Sequence, residues 1–258
     1  MKHRWLLLAL LPFPLAMPAS GSGRPAPELV RIEGGTFRPL YAQPGETVVS
    51  VAPFLLDARP VTRAEFESFV REHPRWQRGR APALFVSAGY LHDWASPTAA
   101  GSAVDRELPV TDVSWFAARA YCAARAARLP TTNEWEFAAR ADERRPDAAS
   151  GSGFRQRALE LALGRRPEPA GRGFQDVRGV FALHGGVMEW VSDFQSIFAG
   201  SDSRVTSRRD RNMTCAAGAT TSGDSGDYAA FLRYAYRATV EGRTTTGTMG
   251  FRCARSAS

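Results

Sequence analysis

Three long stretches, residues 74–106, 142–178 and 199–227, are rich in Gly, Pro, Ser or charge and separate short apolar segments. A chain divided in this way has too little periodic sequence for a helical bundle or one large sheet. Long irregular segments inside a compact domain either build a functional surface or must be pinned to the core. Material for a core is present, since 44% of the 258 residues are hydrophobic and 10% are aromatic. Those fractions exclude disorder, and only three cysteines exclude a disulfide-dense miniprotein. No self-similar period of repeat length occurs, so a solenoid is excluded too.

The short segments carry clear local signals. Leu29–Ile32 and Gly34–Phe37 read as a strand, a turn and a returning strand, and 48–51 and 54–57 as two more. Thr62 with Glu65 is a capping box, opening a helix that places Phe66, Phe69 and Val70 on one face. Ser114 caps a second helix expected from Trp115 to about Arg128. Thr131 with Glu134 forms a second capping box, and its helix runs to Ala141. A helical patch near Leu159–Leu163 interrupts the otherwise irregular 142–178 stretch. Residues 227–237 admit either a helix or an extended strand. The expected class is α+β with much loop.

Charge and leader restrict the setting. The net charge of +7 comes from 33 Lys and Arg against 26 Asp and Glu, but Lys2 is the only lysine. The arginines are scattered among alanines and acids, with no basic stripe interleaved with aromatics, which argues against nucleic acid. At the N-terminus, Lys2 and Arg4 precede the apolar run 5–11 and the small residues Ala19-Ser20-Gly21. This is the pattern of a secretory signal peptide over residues 1–21, too short and Pro-broken for stable membrane insertion. Residues 22–28 read as a linker and 29–258 as one domain. The expected location is periplasmic or secreted, where cysteine pairs oxidise.

Five blocks, in order, carry a resemblance. They are Val30 to Phe37; Phe54 to Val70; Leu108 through Val113-Ser114-Trp115 to Cys122, continuing into Arg128-Leu129-Pro130-Thr131 with Glu134-Trp135-Glu136-Phe137; Gly185 to Asp193; and Gly250-Phe251-Arg252-Cys253. In that order they resemble the formylglycine-generating enzyme family, also called sulfatase-modifying factor domains. The resemblance implies a variant of the C-type lectin fold with little regular structure. Trp115, Trp135 and Trp190 then read as rings pinning loops to the core. Glu134 is accounted for by its cap, and Glu136 reads as an arginine partner.

The resemblance also says what is missing. The family's copper-dependent oxidases bind Cu(I) through two thiolates, the soft ligands this ion selects. Cys122 and Cys253 match the family's structural disulfide, which leaves Cys215. Counting back from Arg237 in the family's register puts the copper-ligand positions on Asp224 and Ala229, so the two-thiolate copper site is absent. Calcium is a weaker candidate through Glu189, because Gly186 replaces the Asn of the family's calcium loop. His73, His92 and His184 show no zinc-like spacing, and His184 reads as a surface residue. Cys215, Tyr228, Arg233 and Tyr236 are the candidate catalytic residues, with Arg233 between tyrosines suited to a planar anionic or phenolic ligand. The alternative for Arg233 and Arg237 is that they tie loops to carboxylates.

Two functions follow from the resemblance. The leading one is an exported oxidoreductase-type maturation factor acting on a periplasmic peptide, siderophore or protein. Exported branches that also lack the thiolate pair include one resembling pyoverdine-maturing proteins and one accompanying copper nitrite reductases. The competing reading is a non-catalytic, lectin-like binding or accessory module. Whether the chain is an enzyme at all stays open at this point.

Overall fold

A computed structural model describes residues 28–41, 48–164, 168–194 and 227–257. The sheet is small and antiparallel. Strand β1 (Leu29–Ile32) pairs with β4 (Phe54–Asp57), which pairs in turn with β7 (Ala254–Ser256). Leu29 lies opposite Asp57, and Phe54 lies opposite Ser256, so the last strand closes against one of the first. β2 (Gly35–Phe37) and β3 (Val49–Val51) form a second antiparallel pair. β5 (Met188–Glu189) and β6 (Met249–Gly250) form a short parallel one.

Gly34 shows why the β1–β2 turn needs glycine. Its φ is +71°, and a Cβ there would sit 2.3 Å from the Val51 carbonyl oxygen.

The helices start where their caps stand. In α1 (Arg63–Glu72) Thr62 accepts from the Glu65 amide, and the Glu65 carboxylate accepts from the Thr62 amide. α2 (Ala103–Arg106) is a single turn. Ser114 caps α3 (Trp115–Ala124), and Thr131 and Glu134 form the box that opens α4 (Thr132–Ala138). Two helices end earlier than their sequences suggest. α3 stops because Ala126 takes φ +51°, turning the chain so that Arg128 exchanges both backbone hydrogen bonds with Ala254. α4 stops at Ala138, where the 138–141 backbone tightens into three-residue turns.

α5 (Ser152–Leu163) is a full helix where only its last turn carried a sequence signal. It has no side-chain cap and buries only Ala158 and Ala162, so no apolar stripe announces it. The last helix, α6 (Tyr228–Thr239), resolves the ambiguous 227–237 segment as helical, with the Asp227 side chain accepting from the Ala230 amide.

A small cluster of Ala158, Ala162 and Ala229 joins α5 to α6, and among the described residues one larger core joins the strands to α1, α3 and α4. Phe66 is fully buried at its centre, within 5.3–6.2 Å of Phe69, Trp94, Tyr121 and Phe251. Indole N–H groups tie loops to this core. Trp115 donates to the Val191 carbonyl at 2.9 Å, and Trp190 to the Val113 carbonyl at 3.0 Å. Cys122 on α3 and Cys253 before β7 are fully buried and joined as a disulfide. Among the described residues no helix is long and apolar enough to cross a membrane.

Candidate functional site

The C-terminal helix decides which of the expected site residues meet. Arg233 and Arg237 are four residues apart on α6, so their side chains lie on one face, and that face turns inward. Both converge on Glu136 of α4. Arg233 donates at 3.1 and 2.5 Å, and Arg237 at 3.0 Å. Both guanidinium groups stack on Trp135, 4.9 and 5.0 Å from the ring. All four residues are at most 6% exposed. Burial alone raises the Glu136 carboxyl, but the two guanidinium groups outweigh it and hold it below the ordinary carboxylate range. Arg233 is therefore engaged inside the protein, as in the carboxylate-tying alternative, and does not face a ligand at the surface.

Glu189 is a second buried anchor. Arg252 donates to both of its oxygens at 2.8 Å, and the Trp135 N–H adds a bond at 2.7 Å. Arg252 also donates to the Phe181 carbonyl at 2.8 Å. A guanidinium thus stands where calcium would have to approach, so the calcium role for Glu189 does not fit. Tyr228 is 60% exposed at the start of α6, away from this network. Cys215 and Asp224 lie outside the described residues, as does the leader-like segment. Ala229 is buried in α6.

Tyr236 belongs to a different cluster. Its hydroxyl lies 3.0 Å from the Thr246 hydroxyl and 2.6 Å from that of Thr248, and the two threonine hydroxyls are 2.7 Å apart. The Thr246 carbonyl accepts from the Asp112 amide at 3.0 Å. A Cβ on Gly247 would be 3.7 Å from the Asp112 carboxylate. That carboxylate is buried, lies 3.5 Å from His92 Nδ1, and shares a neighbourhood with Asp93. Burial raises the Asp112 carboxyl, with Asp93 acting in the same sense and His92 opposing. The Leu91 amide donates to the Asp112 carbonyl, and both residues take positive φ, +48° and +55°. Such backbone is uncommon away from glycine and is concentrated at sites that over-determine it.

This cluster offers hydroxyl donors and acceptors beside an imidazole and two carboxylates. One ligand atom each from His92, Asp93 and Asp112 lie within 4.8 Å of one another, so among the described residues these three form a group that could hold a metal. Arg63 already bonds Asp93 at 2.6 Å and supplies positive charge there. The sequence hid this site because its parts come from residues 92–112, 236 and 246–248, with no local spacing to connect them. His184, expected at the surface, is only 3% exposed and donates through Nε2 to the Ala139 carbonyl at 2.8 Å.

A disulfide-locked mixed fold with low regular structure and a buried Glu–Arg frame around an indole defines a scaffold that presents loops. Residues 15–257 match the sulfatase-modifying factor enzyme 1-like domain, and the chain belongs to that family. It is 32% identical over 280 residues to the inactive C-alpha-formylglycine-generating enzyme 2 of Mus musculus, covering 90% of this chain and 86% of the relative. It is 28% identical over 302 residues to the formylglycine-generating enzyme of Streptomyces coelicolor, covering 95% and 93%. Among solved structures it is similar to PvdO from Pseudomonas aeruginosa, with a TM-score of 0.45, 17% identity, and 90% and 95% of the two chains covered.

Proposed function

We propose that this chain is an exported accessory protein of the formylglycine-generating enzyme family. It recognises a periplasmic peptide, protein or siderophore substrate without two-thiolate copper chemistry. The observation that carries this is the Cys122–Cys253 disulfide. It takes two of the chain's three cysteines, and one remaining thiol cannot form a two-sulfur Cu(I) site. Similarity to a mouse protein named as an inactive member supports the same reading. The hydroxyl cluster of Tyr236, Thr246 and Thr248 is the recognition surface, and the leader-like N-terminus supports export.

A competition titration with Cu(I) tests this. The expected result is no tight stoichiometric binding, and no change on Cys215→Ser. Tight one-to-one Cu(I) binding that Cys215→Ser abolishes would reopen thiolate-based oxidation.

A second reading, an oxidoreductase-type maturation factor, draws support from one observation. His92, Asp93 and Asp112 provide a metal-capable set that needs no thiol. Metal analysis of protein purified from the periplasm separates the two. The accessory reading expects no stoichiometric metal, whereas the oxidoreductase reading expects one equivalent that is lost in Asp112→Asn.

A further inference from the structure

α5 and the loops around it form a recess of about 150 Å³, lined by none of that cluster's residues. Phe154, Phe174 and His184 give it aromatic walls, and Asp142, Glu143, Arg145 and Arg157 bring charge to the same lining. Phe154 meets the buried His184 ring edge-on at 5.4 Å and 82°, and Phe174 meets it at 6.2 Å and 67°. The bond from His184 Nε2 to the Ala139 carbonyl holds the imidazole in place between them. The Ala182 amide donates to the Phe174 carbonyl at 2.8 Å, tying the two loops together. Arg157 lays its guanidinium over Phe174 at 5.2 Å.

Beside the recess lies a wider groove of about 840 Å³ between α5 and residues 173–179. Glu143, Arg157, Leu161 and Phe174 line both, so the two spaces adjoin. At the mouth stand two ion pairs, Arg157–Glu143 at 2.7 Å and Arg145–Asp142 at 3.0 Å. Both arginine side chains are more than half exposed, so these pairs can exchange partners with a ligand at small cost.

We propose that the recess binds one aromatic side chain of an extended peptide whose backbone lies in the groove. The volume fits a single ring, since an apolar cavity of about 150 Å³ accommodates one benzene molecule. Edge-to-face partners are already placed for that ring, on Phe154, Phe174 and His184. The adjoining groove decides for a peptide over a free ring, because it leaves room beside the recess for the chain attached to the ring. The charged pairs at the mouth offer both donors and acceptors for its amides. A small side chain would leave the recess underfilled.

Gly153 gives a clean block. It lines the recess, and a Cβ there meets nothing within 4 Å, so a larger side chain can enter without displacing the core. Heteronuclear NMR titrations would use N-acetyl-Gly-Phe-Gly-amide, its alanine analogue, and p-cresol as a free ring. The phenylalanine peptide should shift the Phe154 and His184 signals saturably and bind about tenfold or more tighter than the alanine peptide. Gly153→Trp should abolish those shifts and Gly153→Ala should keep them, with unchanged thermal melts for both. Equal affinity for the alanine peptide, or binding that survives Gly153→Trp, overturns the proposal. Binding of p-cresol as tight as the phenylalanine peptide overturns the peptide assignment.

Discussion

Glu136→Gln should lower the melting temperature by about 10 °C or more, the largest effect expected of any single conservative change here. The substitution leaves Arg233 and Arg237 buried against Trp135 without their shared counter-charge. Breaking a buried pair by removing one partner costs about 3–5 kcal/mol. A domain of this size loses about 2–4 °C per kcal/mol. The effect should depend on pH with a definite sign. The Glu136 carboxyl is held below its ordinary value in the folded protein, so its contribution is fully present above the unfolded carboxylate range. That contribution is lost as pH falls through the depressed folded value. Melts of the two proteins should therefore converge toward strong acid. A Glu136→Gln protein that melts with the wild type at neutral pH would show that the triad does not hold α4 to α6.

Removing the disulfide should rival that loss. Cys122 and Cys253 are 131 residues apart, and closing a loop of that length stabilises by at most about 5 kcal/mol in the chain-entropy model. Both sulfurs are fully buried, so a reductant reaches them chiefly when the protein opens. The paired Cys122→Ala, Cys253→Ala variant is thus the better probe. Its melting temperature should fall by about 10 °C or more, and adding reductant should then change nothing further. A variant as stable as the parent would contradict the bridge as a fastener between α3 and the last strand.

Much of the frame was legible from local chemistry. The boxes at Thr62–Glu65 and Thr131–Glu134 are readable because a cap is a contact three residues long. The β1 and β4 boundaries follow from short apolar runs beside turns. What escaped depends on distant partners. α5 lacks a cap and an apolar stripe, so its twelve residues looked irregular beyond the last turn. The end of α3 is set by Arg128 pairing with Ala254, 126 residues later. At the site, Arg233 could be read either as a ligand contact or as a tie to a carboxylate. Only the packing of α6 on α4 decides for Glu136. The Tyr236, Thr246 and Asp112 neighbourhood was invisible for the same reason, since three separated segments build it. His184 was expected at the surface, yet Phe154 and Phe174, each distant from it in sequence, pack against the buried ring.

The chain keeps the family's scaffold and has one cysteine outside the Cys122–Cys253 bridge. Thiol titration of the unreduced protein in denaturant, followed by non-reducing peptide mapping, tests that most directly. The predicted result is one free thiol per chain, located on Cys215, with Cys122 linked to Cys253. Three free thiols, or a bridge joining Cys215 to either partner, would contradict it.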